Sequence, residues 1–214
     1  QPFYIPSSSM EPSLLVGDRL FVTKLSYGYS RHSFPFSLGP IKNRILFSEP
    51  DRGDVIVFKT PADNRTDYIK RLIGMPGDTI QFMKGELFIN EKKIIRNFVN
   101  DNLKIRCGNF TLETNVYLEI LPNGVEYLTV YKKEGSLQNS QKYKVPSGHY
   151  FLLGDNRDCS RDSRYLDSVG YVKKLNLVGK AKIIFFSNDT YTSSLLKVWN
   201  LHKSFRLERI LKSL

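Results

Sequence analysis

Lys70 stands in "DYIKRLIGMPGD", Asp67 to Asp78, inside an apolar frame of Tyr68, Ile69, Leu72 and Ile73. On a strand, side chains alternate, so Lys70 shares a face with Tyr68 and Leu72. An amine on an apolar face is destabilised in its charged form and its pKa falls. A neutral amine can act as a general base. Taken alone, such a lysine reads as one that snorkels at a sheet edge. Two other stretches change its context. "IPSSSMEPSLLVGD", Ile5 to Asp18, sets three serines between Pro6 and Pro12, which restrict the backbone on both sides. By themselves these serines form an ordinary turn. "GDNRDCSRDSRY", Gly154 to Tyr165, follows the apolar "HYFLL" and is dense in Asp, Arg and Ser. Alone it is a solvated charged loop. Its Asp and Arg spacings nevertheless permit bidentate pairs within one turn, and a loop stiffened that way can aim a hydroxyl such as Ser160.

A serine nucleophile needs a base. His32, His149 and His202 are scattered and none falls in these three segments. A Ser-His-Asp triad is therefore poorly supported, and a Ser-Lys dyad is the arrangement that these residues offer. The histidines and the two cysteines, Cys107 and Cys159, match no zinc spacing, so no metal and no cofactor are expected. The cysteines lie far apart in sequence, which permits a disulfide without requiring one.

The elements that must position these groups are short β-rich runs: "RLFVTKL", "DVIVFKT", "DTIQFM", "ELFIN", "EYLTVYK", "HYFLLGD" and "KAKIIFF". Gly, Pro, Asn and Asp break them at intervals of roughly ten residues. This predicts a mainly β protein of antiparallel sheets, as in sandwiches and barrels. Alternation in "DVIVFK" and "KAKIIFF" is incomplete, so several strands should be covered on both faces. The middle of the chain is more polar and carries no chemical motif. It reads as an inserted β-rich cap subdomain over residues 81–146, with "INEK" as the turn of a hairpin. Residues 1–80 and 147–198 form the catalytic core. In "SSLLKVWNLHKSFRLERILKSL", Leu195, Leu196, Trp199, Phe205, Ile210 and Leu211 recur at roughly helical spacing among basic residues. That predicts a short basic amphipathic C-terminal helix over 199–214.

The chain has 214 residues, 41% of them hydrophobic, with 12 Tyr and 14 Phe, enough for one sizeable core. Its 32 Lys and Arg exceed its 21 Asp and Glu, for a net charge of +11. Such a surplus suits nucleic acid, anionic lipid or an acidic partner and says nothing about fold. No apolar run approaches the ~20 residues of a membrane span.

Four stretches, in this order, resemble the successive sequence boxes of bacterial type I signal peptidases (leader peptidases): "PSSSMEPSLLVGDRLFV", "RGDVIVFKTP", "DYIKRLIGMPGD" and "GDNRDCSRDSRY". "VGKAKIIFFS" extends the similarity, which spans roughly the first 80 residues and about 147–188. The resemblance implies a membrane-associated serine endopeptidase that removes N-terminal signal peptides from exported preproteins through an acyl-enzyme. Carried over residue by residue, it places the nucleophile at Ser9 and the general base at Lys70. The oxyanion donors fall on the Ser7 hydroxyl and the Ser9 N–H, with Ser8 as a small spacer. Ser160 matches a hydroxyl that orients the lysine. Arg71 with Asp155 and Asp162 with Arg164 match supporting ion pairs. Shallow substrate pockets would be lined by Phe3, Ile5, Pro6, Met10, Leu14, Val57, Tyr68 and Ile69, all of which serve equally as core.

The implied partners are preproteins bearing signal peptides and the phospholipid membrane surface, not nucleic acid. The implied location is the outer, periplasmic face of the bacterial cytoplasmic membrane, with an N-terminal anchor that this sequence does not contain. "SFPFSLGPI", Ser33 to Ile41, and the C-terminal helix are the segments that could touch lipid, or could pack on the protein instead. Cys159 and Lys173 depart from the family pattern, where a polar residue and a proline are usual; Ser13 replaces a frequent threonine. A self-cleaving repressor-type Ser-Lys protease shares the dyad, but the inserted middle does not fit it. A basic nucleic-acid-binding barrel would show steep salt dependence and no peptide cleavage.

Overall fold

The computed structural model describes residues 1–30, 34, 43–136, 139–189 and 205–214. Among them the chain runs as β1 (Pro2–Tyr4), β2 (Asp18–Thr23), β3 (Val55–Lys59), β4 (Asp67–Gly74), β5 (Thr79–Met83), β6 (Glu86–Ile89), β7 (Lys92–Lys93), β8 (Ile95–Cys107), β9 (Phe110–Ile120), β10 (Glu126–Lys132), β11 (Tyr143–Lys144), β12 (His149–Leu153), β13 (Val172–Lys173) and β14 (Leu177–Ser187). All ladders between these strands are antiparallel. The mainly β class and the antiparallel sheets expected from the sequence are what the chain adopts.

Seven strands form the main sheet in the order β1-β2-β14-β3-β4-β12-β13. Its central strands are Val- and Ile-rich and covered on both faces. In β3, Val55, Ile56, Val57 and Phe58 are all buried, which explains the incomplete alternation. Each such side chain contributes about 1.5–3 kcal/mol when fully buried. The strands between Thr79 and Lys144 make two further sheets, β11-β5-β6-β7 and β10-β9-β8. β6 and β7 turn through Asn90 and Glu91, both at positive φ (52° and 65°), within the expected "INEK" turn. This suits the right-handed twist of a two-residue hairpin. One apolar cluster joins Ile73, Phe151 and Leu153 of the main sheet to Ile80, Phe82, Leu87 and Ile89 of the four-stranded sheet.

The C-terminal segment differs from the expected helix. Residues 190–204 and the Ser33–Ile41 stretch, Phe34 excepted, lie outside the described residues. Over 205–214 the chain makes only a 3-10 turn, Leu207–Arg209. Backbone bonds to β14 hold it instead: Arg206 N–H to Ser187 O, Leu211 N–H to Ile184 O, and Ile184 N–H to Lys212 O. Arg209 donates to both oxygens of the buried Asp18 (3.1 and 2.6 Å) and to the Ser13 carbonyl (2.9 Å). Arg206 reaches the Val16 carbonyl at 2.9 Å. These bidentate, charge-assisted contacts and the sheet edge outweigh helical propensity, which is a weak preference. The tail thereby clamps the 13–18 segment that leads from the serines into β2. No helix among the described residues is long and apolar enough to cross a membrane.

Candidate active site

The three serines enter from extended backbone at Ser7 (φ −136°, ψ 156°) into a single 3-10 turn, Ser8–Met10. This turn points Ser9 inward, at 8% exposure, toward β4. The Lys70 amine donates to Ser9 Oγ at 2.7 Å and to the Ile69 carbonyl at 2.9 Å. It also lies 5.5 Å from the centre of the Tyr68 ring, the residue with which strand alternation pairs it. Among the described residues Lys70 forms no ion pair. Burial pushes its amine down to about 8; Asp162 and Asp155, at longer range, pull upward, and Arg164 pulls down again. The carboxylates thus limit a fall that desolvation drives.

The loop 154–164 supplies the opposite wall. Asn156 fastens it to the serine turn: its N–H donates to the Ser9 carbonyl and its side-chain amide to the Ser8 carbonyl, both at 3.2 Å. Its Oδ1 accepts the Cys159 N–H at 3.1 Å. The loop passes so close that a Cβ at Gly154 would fall on Ser160 Oγ and come within 2.5 Å of the Ser9 carbonyl; only glycine fits there. Sequence reasoning missed Asn156. Its one signal was position, a short amide inside the charged loop, where side-chain-to-backbone bonding is common.

The arginine–carboxylate pairs of this loop are forked. Arg71 Nε and Nη2 meet Asp155 at 2.8 and 2.7 Å. Arg164 Nε and Nη2 both meet Asp162 at 2.8 Å. Burial alone would raise the Asp162 carboxyl, but Arg164 and the Gly154 N–H more than offset it, and its pKa falls. A third buried pair was not anticipated. Arg157 is forked onto Glu119 of β9 at 2.9 and 2.6 Å, with Tyr127 and Tyr131 hydroxyls donating to the same carboxylate. It ties the loop to the three-stranded sheet.

Two placements differ from expectation. Ser160 Oγ is buried but makes no bond of proper geometry, and none to Lys70. It lies close enough to Asp162 to favour that carboxylate's charge. The amine instead takes the Ile69 carbonyl as its second acceptor. Of the eight residues assigned to substrate pockets, Pro6, Tyr68 and Ile69 line a cleft of about 570 Å3 that also exposes Ser7, Ser9 and Lys70. Ile5, Met10, Leu14 and Val57 are packed in the core behind it, with Phe3 partly buried against them. Their apolar surfaces gain more by packing on one another than by facing a polar cleft. Ser7 Oγ lies 3.4 Å from Ser9 Oγ at the cleft mouth. Ser8 is buried rather than a bare spacer, its hydroxyl 3.4 Å from Cys159 Sγ. Cys159 is in a disulfide with Cys107 at the end of β8.

Residues 1–186 match the profile of the family described as "Signal peptidase, peptidase S26". The signal peptidase I of Rickettsia typhi is 40% identical over 234 residues, covering 100% of this chain and 85% of that protein. That of Rickettsia prowazekii is 40% identical with the same coverage. A solved signal peptidase I from Enterococcus faecalis is 29% identical, with 62% of this chain and 97% of that one covered, at a TM-score of 0.40. By the profile match and the full-length identity, the chain belongs to the signal peptidase family, peptidase S26, and is a serine endopeptidase.

Proposed function

We propose that this chain removes signal peptides from preproteins, with Ser9 as nucleophile and Lys70 as general base. The observation that carries the reading is a buried amine that has no ion-pair partner among the described residues and lies 2.7 Å from a buried serine hydroxyl. Neutral Lys70 takes the proton of Ser9 as its oxygen attacks the scissile carbonyl. The tetrahedral oxyanion is met by the Ser9 N–H and the Ser7 hydroxyl, one such donor being worth about 3–4 kcal/mol. The ammonium then gives its proton to the leaving amine, which frees the acyl-serine. The regenerated amine activates a water for deacylation. Arg71–Asp155 and Arg164–Asp162 hold the surrounding loop and strand, and Asn156 holds the serine turn.

The substrate's path follows from β4. On one side β3 pairs with Asp67 through Arg71, but on the other β12 pairs only with Arg71, Leu72 and Gly74. Among the described residues the Asp67–Lys70 edge beside the cleft has no strand paired to it on that side, and an extended peptide would add there as a strand. Exposed Tyr29, Phe34, Ile45 and Leu46, near Lys24, form the apolar and basic surface that we assign to the membrane. At about 1 kcal/mol per well-placed basic residue, the net charge of +11 favours anionic headgroups. In this reading the reaction takes place at the outer face of the bacterial cytoplasmic membrane.

The test is incubation with a preprotein in detergent, followed by sequencing of the new N-terminus. Cleavage after a small residue is expected, with Ser9→Ala inactive and its thermal melt unchanged. Turnover retained by Ser9→Ala would overturn the assignment.

A further inference from the structure

The β8–β9 hairpin reaches past its own support. β10 pairs with β9 only from Thr114 to Ile120, so the tip beyond Thr114 is a two-stranded ribbon. Its side chains Lys104, Arg106 and Phe110 are exposed, and such a ribbon is marginal by itself. The tip is fixed by the Cys107–Cys159 disulfide, whose Cα atoms lie 5.8 Å apart. That bond delivers Arg106 and Gly108 to the cleft holding Ser9 and Lys70, and Arg161, two residues beyond Cys159, lines the same cleft. Arg106 and Arg161, from separate parts of the chain, therefore line one cleft; Arg106 Nε donates to the Gly108 carbonyl at 3.3 Å and Arg161 Nε to Ser168 Oγ at 3.0 Å. Asp67, the acid among the described residues of that cleft, is paired with Lys59 at 2.9 Å.

We propose that the disulfide makes the hairpin tip a fixed wall of the substrate cleft, and that Arg106 and Arg161 on it are specificity-determining residues that favour an acidic side chain beside the scissile bond. The inference rests on Ser9 and Lys70 being the reacting pair. Arg106 and Arg161 bind substrate and do not take part in the proton transfer, so loss of their charge weakens substrate binding and leaves chemistry at saturation intact. A dithiol supplies two electrons and two protons, leaves two thiols, and is itself oxidised to a disulfide; the tip is then released.

The experiment compares the oxidised enzyme, the dithiol-reduced enzyme and Arg106→Glu on two preproteins that differ by Asp or Lys next to the cut. Reduction should raise KM roughly tenfold, and reoxidation should restore it; Arg106→Glu, which leaves the Cys159–Ser8 contact in place, should keep kcat within about twofold. Arg106→Glu keeps the disulfide and should reverse the preference from the Asp to the Lys substrate. KM unmoved by reduction, a loss confined to kcat, or an unchanged Asp-to-Lys ratio in Arg106→Glu would each overturn the proposal. Absence of cleavage by the oxidised enzyme itself would instead refute the function on which it rests.

Discussion

Lys70 and Arg71 are neighbours on β4, and both are buried, at 4% and 6% exposure. Alternation sends them to opposite faces, and the two faces treat positive charge differently. Arg71 finds Asp155 in a forked pair, the Gly53 carbonyl at 2.9 Å, and the Tyr127 ring at 4.5 Å. Burial opposes its charge, but Asp155 outweighs burial and the pKa rises. Among the described residues Lys70 meets a hydroxyl, a carbonyl and the Tyr68 ring but no carboxylate within ion-pair distance, and burial prevails. A dry cation with a counter-ion braces the structure. A dry cation without one becomes a base. The fold builds both on consecutive residues of one strand.

The comparison breaks most severely if Lys70 is made apolar. Lys70→Met should lower kcat/KM by about 10²–10⁴-fold, the usual contribution of a general base, yet should make the protein more stable. The shift from 10.5 to about 8 corresponds to roughly 3 kcal/mol of penalty on the folded state. The folded pKa lies below the unfolded one, so the folded protein binds fewer protons between these values. The penalty is complete below about pH 8 and vanishes as pH rises toward 10.5. Denaturant melts at pH 7 and above 10 should show the gain at the lower pH only; a loss of stability at pH 7 would refute the contrast.

Arg71→Met should behave in the opposite way, costing about 3–5 kcal/mol because Asp155 is left buried without its partner. Adding Asp155→Asn should recover much of that stability, and the thermal melts of the single and double variants measure it. The smallest effect is titration of the intact enzyme. kcat/KM should rise about tenfold per pH unit up to an ionisation near 8 and level off above it. A rise that begins only near pH 10 would place Lys70 in water and remove the difference between the two faces.

The same strand shows what could be read in advance. Lys70 was visible because period-2 alternation puts an amine among Tyr68, Leu72 and their neighbours, and the order of the four motifs linked it to the serines. Glu119 was not visible: its partner Arg157 is 38 positions away, and alternation reports which face a residue takes, not what sits across from it. Met10, Leu14, Ile5 and Val57 were assigned to pockets by correspondence. Hydrophobicity alone does not separate a cleft wall from the core one layer behind it. The 205–214 segment had helical spacing, but its conformation was decided by Asp18, 191 positions away.

That clamp has a consequence for how the enzyme is made. Translation delivers Ser9 before Asn156, and both before Arg209, which locks the segment just after Ser9. A growing chain therefore carries the hydroxyl that we propose as nucleophile before Asn156 and Arg209 can hold it in place. A ribosome-bound fragment that stops short of Arg209 therefore holds Ser9 and Lys70 without the contacts to Asp18 and the Ser13 carbonyl that fasten the segment after the serine turn.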